Sequence, residues 1–95
     1  MRVSVIGGSS VDSETYETAR EVGRLLGERG HTVVCGGLGG VMEAACRGAR
    51  EHEAETVGIL PVEDREAANE WVTTPIATGL GHARNPLVVM NGDAV

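Results

Sequence analysis

Two short β-branched runs in this chain each end in glycines and then pass into a segment of helical spacing. Arg2–Ile6 (RVSVI) runs into Gly7-Gly8, after which Tyr16, Ala19, Val22 and Leu26 recur at helical intervals as far as Arg29. His31–Cys35 (HTVVC) runs into Gly36-Gly37-Leu38-Gly39-Gly40, and Val41–His52 reads as the next helix. A strand followed by a helix and another strand cannot close as a tight hairpin. It requires a crossover, and crossovers build parallel sheets. Asp12 or Ser13 can cap the first helix, with Glu14 and Glu17 in its opening turns, and Gly30 is a natural stop.

The rest of the chain continues the theme. Thr56–Leu60 (TVGIL) is a third strand halted by Pro61, and residues 62–70 form a polar, acidic loop. Residues 73–77 give a short fourth strand. Asn85-Pro86 supplies an N-cap and a first-turn proline for a helix of one or two turns over Leu87–Met90, ended by Gly92. Residues 93–95 open a further strand, so the expected fold is truncated at its carboxyl end. The fold class is α/β, a three-layer doubly wound parallel sheet, with residues 1–95 as one domain and right-handed crossovers. Glu17/Arg20 and Glu21/Arg24 are expected ion pairs on the wet face of the first helix. Glu43, Arg47 and Glu51 make an expected ladder on the second.

Composition removes several function classes. All eight cations are Arg, the net charge is −6, and phosphate-backbone binding has no clustered cations to use, so nucleic acid is not an expected partner. Tyr16 and Trp71 are the only aromatics, too few for a base-stacking platform. No apolar run approaches the roughly 18 residues of a membrane span, and the cytoplasm is the expected location. Cys35 and Cys46 match no zinc spacing and read as reduced packing residues. Cys35, at a strand end, is the better candidate for a thiol near a ligand. Glu63, Asp64 and Glu66 read as a solvated acidic face held down by Trp71. His31 and His52 read as surface residues, and His82 as a possible ligand neighbour.

In an open parallel sheet, ligands bind beyond the carboxyl ends of the strands. Three segments fall there. Gly7, Gly8, Ser9 and Ser10 offer close backbone approach and hydroxyl donors. Gly36, Gly37, Leu38, Gly39, Gly40 and Val41 open the second helix, where N–H groups and the dipole favour an anion. Gly79–Asn85 (GLGHARN) brings Arg84 and Asn85, and an Arg there can grip phosphate bidentately. Glu43 is either a ligand-facing carboxylate or an exposed partner of Arg47. There is no G-x-G-x-x-G after the first strand and no P-loop, so nicotinamide-type and P-loop readings are disfavoured. A phosphorylated small molecule is the expected partner, and spacing assigns no catalytic residue and no metal site.

Val5-Ile6-Gly7-Gly8-Ser9, Cys35 through Ala44 (CGGLGGVMEA), Gly58-Ile59-Leu60-Pro61 and Thr78 through Asn85 (TGLGHARN) occur in this order. The sequence resembles the molybdenum-cofactor-carrier-like family, part of a Rossmann-like nucleotide-binding group often labelled "lysine decarboxylase". That group also holds the phosphoribohydrolases that activate cytokinins. The resemblance covers essentially the whole chain and implies a Rossmann-like fold. It also implies a bound molybdenum cofactor or a nucleotide such as AMP, and a homo-oligomer, dimer or tetramer. Such proteins continue past Asp-Ala-Val into a Gly-Gly-x-Gly-Thr-x-x-Glu segment, whose Glu works with an Arg in the hydrolases. Arg84 matches that Arg, the Glu is not in this chain, and Pro86 stands where a small residue is usual. Three readings follow: a non-catalytic carrier or binding module, a hydrolase of nucleoside monophosphates, and a structural or oligomerisation fragment.

Overall fold

The computed structural model describes residues 1–95. Four strands, β1 (Arg2–Ser4), β2 (Thr32–Cys35), β3 (Thr56–Leu60) and β4 (Thr74–Ala77), pair in parallel in the order β1-β2-β3-β4. Helices α1 (Ser13–Glu28) and α2 (Val41–Arg50) pack on one another over one face, and α3 (Asn85–Met90) lies on the other. Past α3 the chain returns to the free side of β1, where Val3 bridges Ala94 in parallel. The three layers and the double winding agree with the sequence reading. Two short 3₁₀ turns, Arg65–Ala67 and Gly81–Arg84, interrupt what the sequence read as loop.

Side-chain alternation along β2 divides the core. Val33 and Cys35 face α2 with Met42, Ala45, Cys46 and Ala49, whereas Val34 joins Val57, Ile59 and Val88 under α3. β3 is buried along its whole length, as an inner parallel strand should be. β1 is shorter than Arg2–Ile6. Val5 N–H still donates to Val34 O at 2.8 Å, but Ile6 leaves the ladder and is 62% exposed. Ser4 is buried because its hydroxyl donates to Val88 O at 2.7 Å, which ties α3 to β1.

Asp12 caps α1, its Oδ1 accepting from Thr15 N at 2.8 Å. The helix closes at Gly30 (φ +77°): Gly30 N–H reaches Gly27 O and His31 N–H reaches Leu26 O, both at 3.0 Å. The buried stripe of α1 is Ala19, Gly23 and Gly27 rather than the larger residues of its apolar pattern, and Val22 is 45% exposed. Of the two expected pairs on α1, Glu21/Arg24 forms and Glu17/Arg20 does not. Arg24 bridges Glu21 (2.6 Å) and Glu28 (3.1 Å), while Arg20 leaves Glu17 for Glu51, just past the end of α2, at 3.2 Å. The α2 ladder is therefore dissolved, because each member finds a partner on another element. α2 ends at Arg50, two residues before the expected boundary.

Candidate functional site

Because the crossovers through α1 and α2 share one face and the one through α3 uses the other, the carboxyl end of β1 is a switch point. A cleft of about 550 Å³ opens there. Every strand contributes through the segment that follows it: Ile6, Gly7 and Ser9 after β1, Gly36 and Leu38 after β2, Pro61 after β3, and Gly81, His82, Arg84 and Asn85 after β4. Met42 of α2 and Val88 and Val89 of α3 complete apolar walls.

Arg84 is the charged centre of this cleft. Its guanidinium lies against Gly36: a Cβ built there would stand 2.5 Å from Arg84 Nη2 and 2.7 Å from Met42 Sδ. Arg84 Nη1 donates to Asn85 Oδ1, and Nε is buried without an acceptor. An unpaired buried donor on a charged group is costly, on the order of 1–3 kcal/mol or more. No Asp or Glu lines the cleft. Asn85 is the first residue of α3 rather than its cap, since the preceding 3₁₀ turn feeds directly into the helix and the Asn85 side chain is engaged by Arg84.

Six of the thirteen sequence candidates meet at the cleft: Gly7, Ser9, Gly36, Leu38, Arg84 and Asn85. The other seven, Gly8, Ser10, Gly37, Gly39, Gly40, Val41 and Glu43, do not line it. Several of these serve the loops themselves. Val41 N–H donates to Gly8 O at 3.0 Å, stitching the first loop to the second. Gly40 (φ +65°) passes so close to the Gly8 carbonyl that no Cβ fits. Gly37 (φ +78°) turns its N–H onto Cys35 Sγ at 3.3 Å. Glu43 takes neither expected role: its Oε2 accepts from Tyr16 OH at 2.9 Å and joins α2 to α1. Arg47, freed of Glu43, lies 5.6 Å from the centre of the Trp71 ring.

The sequence reading passed over Asn69. Its Nδ2 donates to Leu38 O at 2.9 Å, its backbone N–H donates to Gly37 O at 2.8 Å, and its Oδ1 accepts from Trp71 N at 2.9 Å. It fastens the glycine loop from below. An Asn inside an acidic loop carries no pattern that marks it. The apolar walls were equally hidden, as Met42, Val88 and Val89 look like ordinary core residues of short helices. In the acidic loop, Asp64 caps its 3₁₀ turn through Glu66 N at 2.9 Å, and no group of three or more His, Cys, Asp or Glu is arranged to hold a metal.

Both cysteines are free and fully buried, with their sulfurs 3.4 Å apart. The hydrogen bond shared with Cys46 holds the Cys35 thiol below its ordinary range, helped by Gly37 N–H and the charge of Arg84 against the effect of burial. The same shared bond, together with burial, pushes Cys46 up.

An open parallel sheet with a glycine-walled cleft at its carboxyl edge defines a Rossmann-like α/β domain. The chain belongs to the SLOG cluster4 family, whose profile matches residues 1–95. It is 44% identical to an uncharacterised protein of Archaeoglobus fulgidus over 95 residues, 100% of this chain and 62% of that one. Among solved structures it is similar to the molybdenum cofactor binding protein of the phototrophic bacterium Rippkaea orientalis (33% identity, TM-score 0.91, 99% of this chain and 62% of that one). It is also similar to the molybdenum cofactor carrier protein of Chlamydomonas reinhardtii (30% identity, TM-score 0.87, 99% and 61%). The chain thus spans about three fifths of the length of these relatives. No helix is long and apolar enough to cross a membrane.

Proposed function

We propose that this chain binds a phosphate-bearing small molecule in the cleft, a molybdopterin-like cofactor held as cargo rather than transformed. The observation that carries this reading is Arg84: a guanidinium seated on a glycine floor, with a buried Nε that lacks an acceptor. A small turn of the guanidinium would let an anion accept from Nε and Nη2 side by side, the bidentate geometry arginine favours. Ser9 and Asn85 offer further polar contacts, and Leu38, Met42, Val88 and Val89 would shelter the uncharged body of the ligand. The cargo would bring its own metal chemistry, while the chain's residues bind, orient and shield. Similarity to proteins described as cofactor-binding and cofactor-carrying supports the same reading.

Holding is the reading that similarity to proteins described as cofactor-binding and cofactor-carrying supports. A homo-oligomer, dimer or tetramer, and a cytoplasmic setting belong to the same proposal, and the two free thiols suit a reducing compartment. The test is thermal denaturation with AMP or molybdopterin. At 100 times Kd the free energy gained is about 2.7 kcal/mol. Arg84→Ala should weaken that binding ten- to a hundredfold, the worth of a charged hydrogen bond of roughly 1.5–3 kcal/mol. Equal binding by wild type and Arg84→Ala would remove the anchor. Release of free base from AMP would instead favour the hydrolase.

A further inference from the structure

We propose that Cys35 and Cys46 form a peroxide-sensitive dithiol beneath the cleft floor, with Cys35 the attacking and Cys46 the resolving thiol. The two thiols are distinct from the side chains that would hold the anion, and in the free protein they share only the cleft as an entrance. Cys35 is the last residue of β2, and Cys46 sits on the sheet-facing side of α2. Their sulfurs, 3.4 Å apart, need to approach by about 1.4 Å to reach the disulfide length of roughly 2.05 Å. The side chains share one core cluster, so side-chain rotation with a small shift of α2 suffices.

The Gly37 N–H donates to Cys35 Sγ at 3.3 Å, and the Cys46 sulfur, 3.4 Å away, is placed to share a hydrogen bond with it. Both favour a thiolate at Cys35, and the nearby Arg84 charge acts in the same direction. Access runs through the cleft. Gly36, next to Cys35, and Met42, whose sulfur covers Gly36, both line it. Cys35 is itself buried and outside the cleft lining, so a small hydroperoxide would reach it only as the flexible Met42 side chain moves aside.

The Cys35 thiolate attacks one peroxide oxygen, the O–O bond breaks, and hydroxide leaves as the sulfur becomes a sulfenic acid. Hydroxide takes the Cys46 proton and becomes water. The Cys46 sulfur then displaces the hydroxyl from Cys35, which picks up the proton first lost by Cys35 and leaves as the second water. Two thiols lose two electrons and two protons, and hydrogen peroxide is reduced to two waters. The new S–S bond ties the end of β2 to α2.

The experiment exposes the native protein to hydrogen peroxide, then alkylates under denaturing conditions and weighs the intact chain and its peptides. Two thiols protected from alkylation until reduction, and a peptide linking positions 35 and 46 that is about 2 Da lighter than its two reduced parts together, are expected. Dimedone should label Cys35 in Cys46→Ser, and Cys46 should stay alkylatable in Cys35→Ser. Should either variant fail to fold, the wild-type peptide map still decides. Met1 and Met90, 65% and 72% exposed, report that the oxidant was active. Sulfoxide at those methionines with both cysteines still free, or a disulfide between two chains, overturns the proposal.

Discussion

Arg84 reaches the cleft because position 36 has no side chain. The sequence marked both residues, but it could not pair them, since they lie on loops 48 positions apart brought together by the sheet order. Adding a methyl group at Gly36 tests the pairing. The atoms it would meet, Arg84 Nη2 and Met42 Sδ, end flexible side chains, so the fold can yield while the guanidinium is displaced. Gly36→Ala is expected to leave the melting temperature of the free protein within about 4 °C, a shift of no more than ~1 kcal/mol for a domain of this size. It should weaken ligand binding at least roughly tenfold. Calorimetric titration beside a melting curve separates the two effects. Asp12 offers a second residue-level test. Its carboxylate accepts from Thr15 N–H, which holds its pKa below the ordinary aspartate value. A depressed carboxylate stabilises the folded state above its unfolded pKa of about 3.9, and that contribution disappears as pH falls through the folded value. Asp12→Ala should therefore melt below wild type at pH 7, with the gap closing in acid. A gap that stays constant down to pH 2 would rule out the cap.

Helices α1 and α2 approach closely because glycine and alanine form their seam. A Cβ at Gly23 would collide with Ala45 O, one at Gly48 with Arg20 O, and one at Gly27 would stand 2.7 Å from Ala49 O. The glycines that the sequence singled out fall in turns and at helix ends, and the apolar pattern of α1 suggested a larger buried face. Neither signal reveals that two helices share a backbone-to-backbone contact, because the partners lie 22 or 28 positions apart and have no periodicity in common. The strand–glycine–helix rhythm, by contrast, was legible, and the bounds of β3 match the structure residue for residue. Ion pairing was legible within α1 only at Glu21/Arg24, since Arg20 found its partner just past the end of α2 and Glu43 found one on α1. In an isolated helix, Gly23→Ala would gain about 1 kcal/mol. Here the obstructing atom is main chain, so the helices must separate and unseat Ala45, Cys46 and Ala49. The net loss is expected to be about 1–3 kcal/mol, or at least ~4 °C in melting temperature. A variant at Gly23 as stable as wild type would show that the seam is looser than its geometry.

At the scale of the whole molecule, the cleft exists because four strands deliver their following segments to one edge. Its floor is held from the α1–α2 layer by Asn69, and its far wall from the α3 layer by the Ser4 hydroxyl on Val88 O. The loops are thus anchored on opposite faces of the sheet and have few bonds to each other beyond Val41 N–H to Gly8 O. In the free protein they should open independently, while β2 and β3, buried on both faces, exchange their amide hydrogens slowest. A ligand that bridges the cleft changes this, because it binds only when all the walls are in place. Residues 7–10, 36–40 and 81–85 should then gain protection together, in proportion to ligand occupancy, with little change in α1. Hydrogen exchange followed by mass spectrometry, with and without AMP or molybdopterin, reads each segment separately. Concerted slowing across the three loops is the expected result. Protection confined to one loop would mean that the anion sits on a single turn, and that the convergence of the others serves only to close the sheet edge.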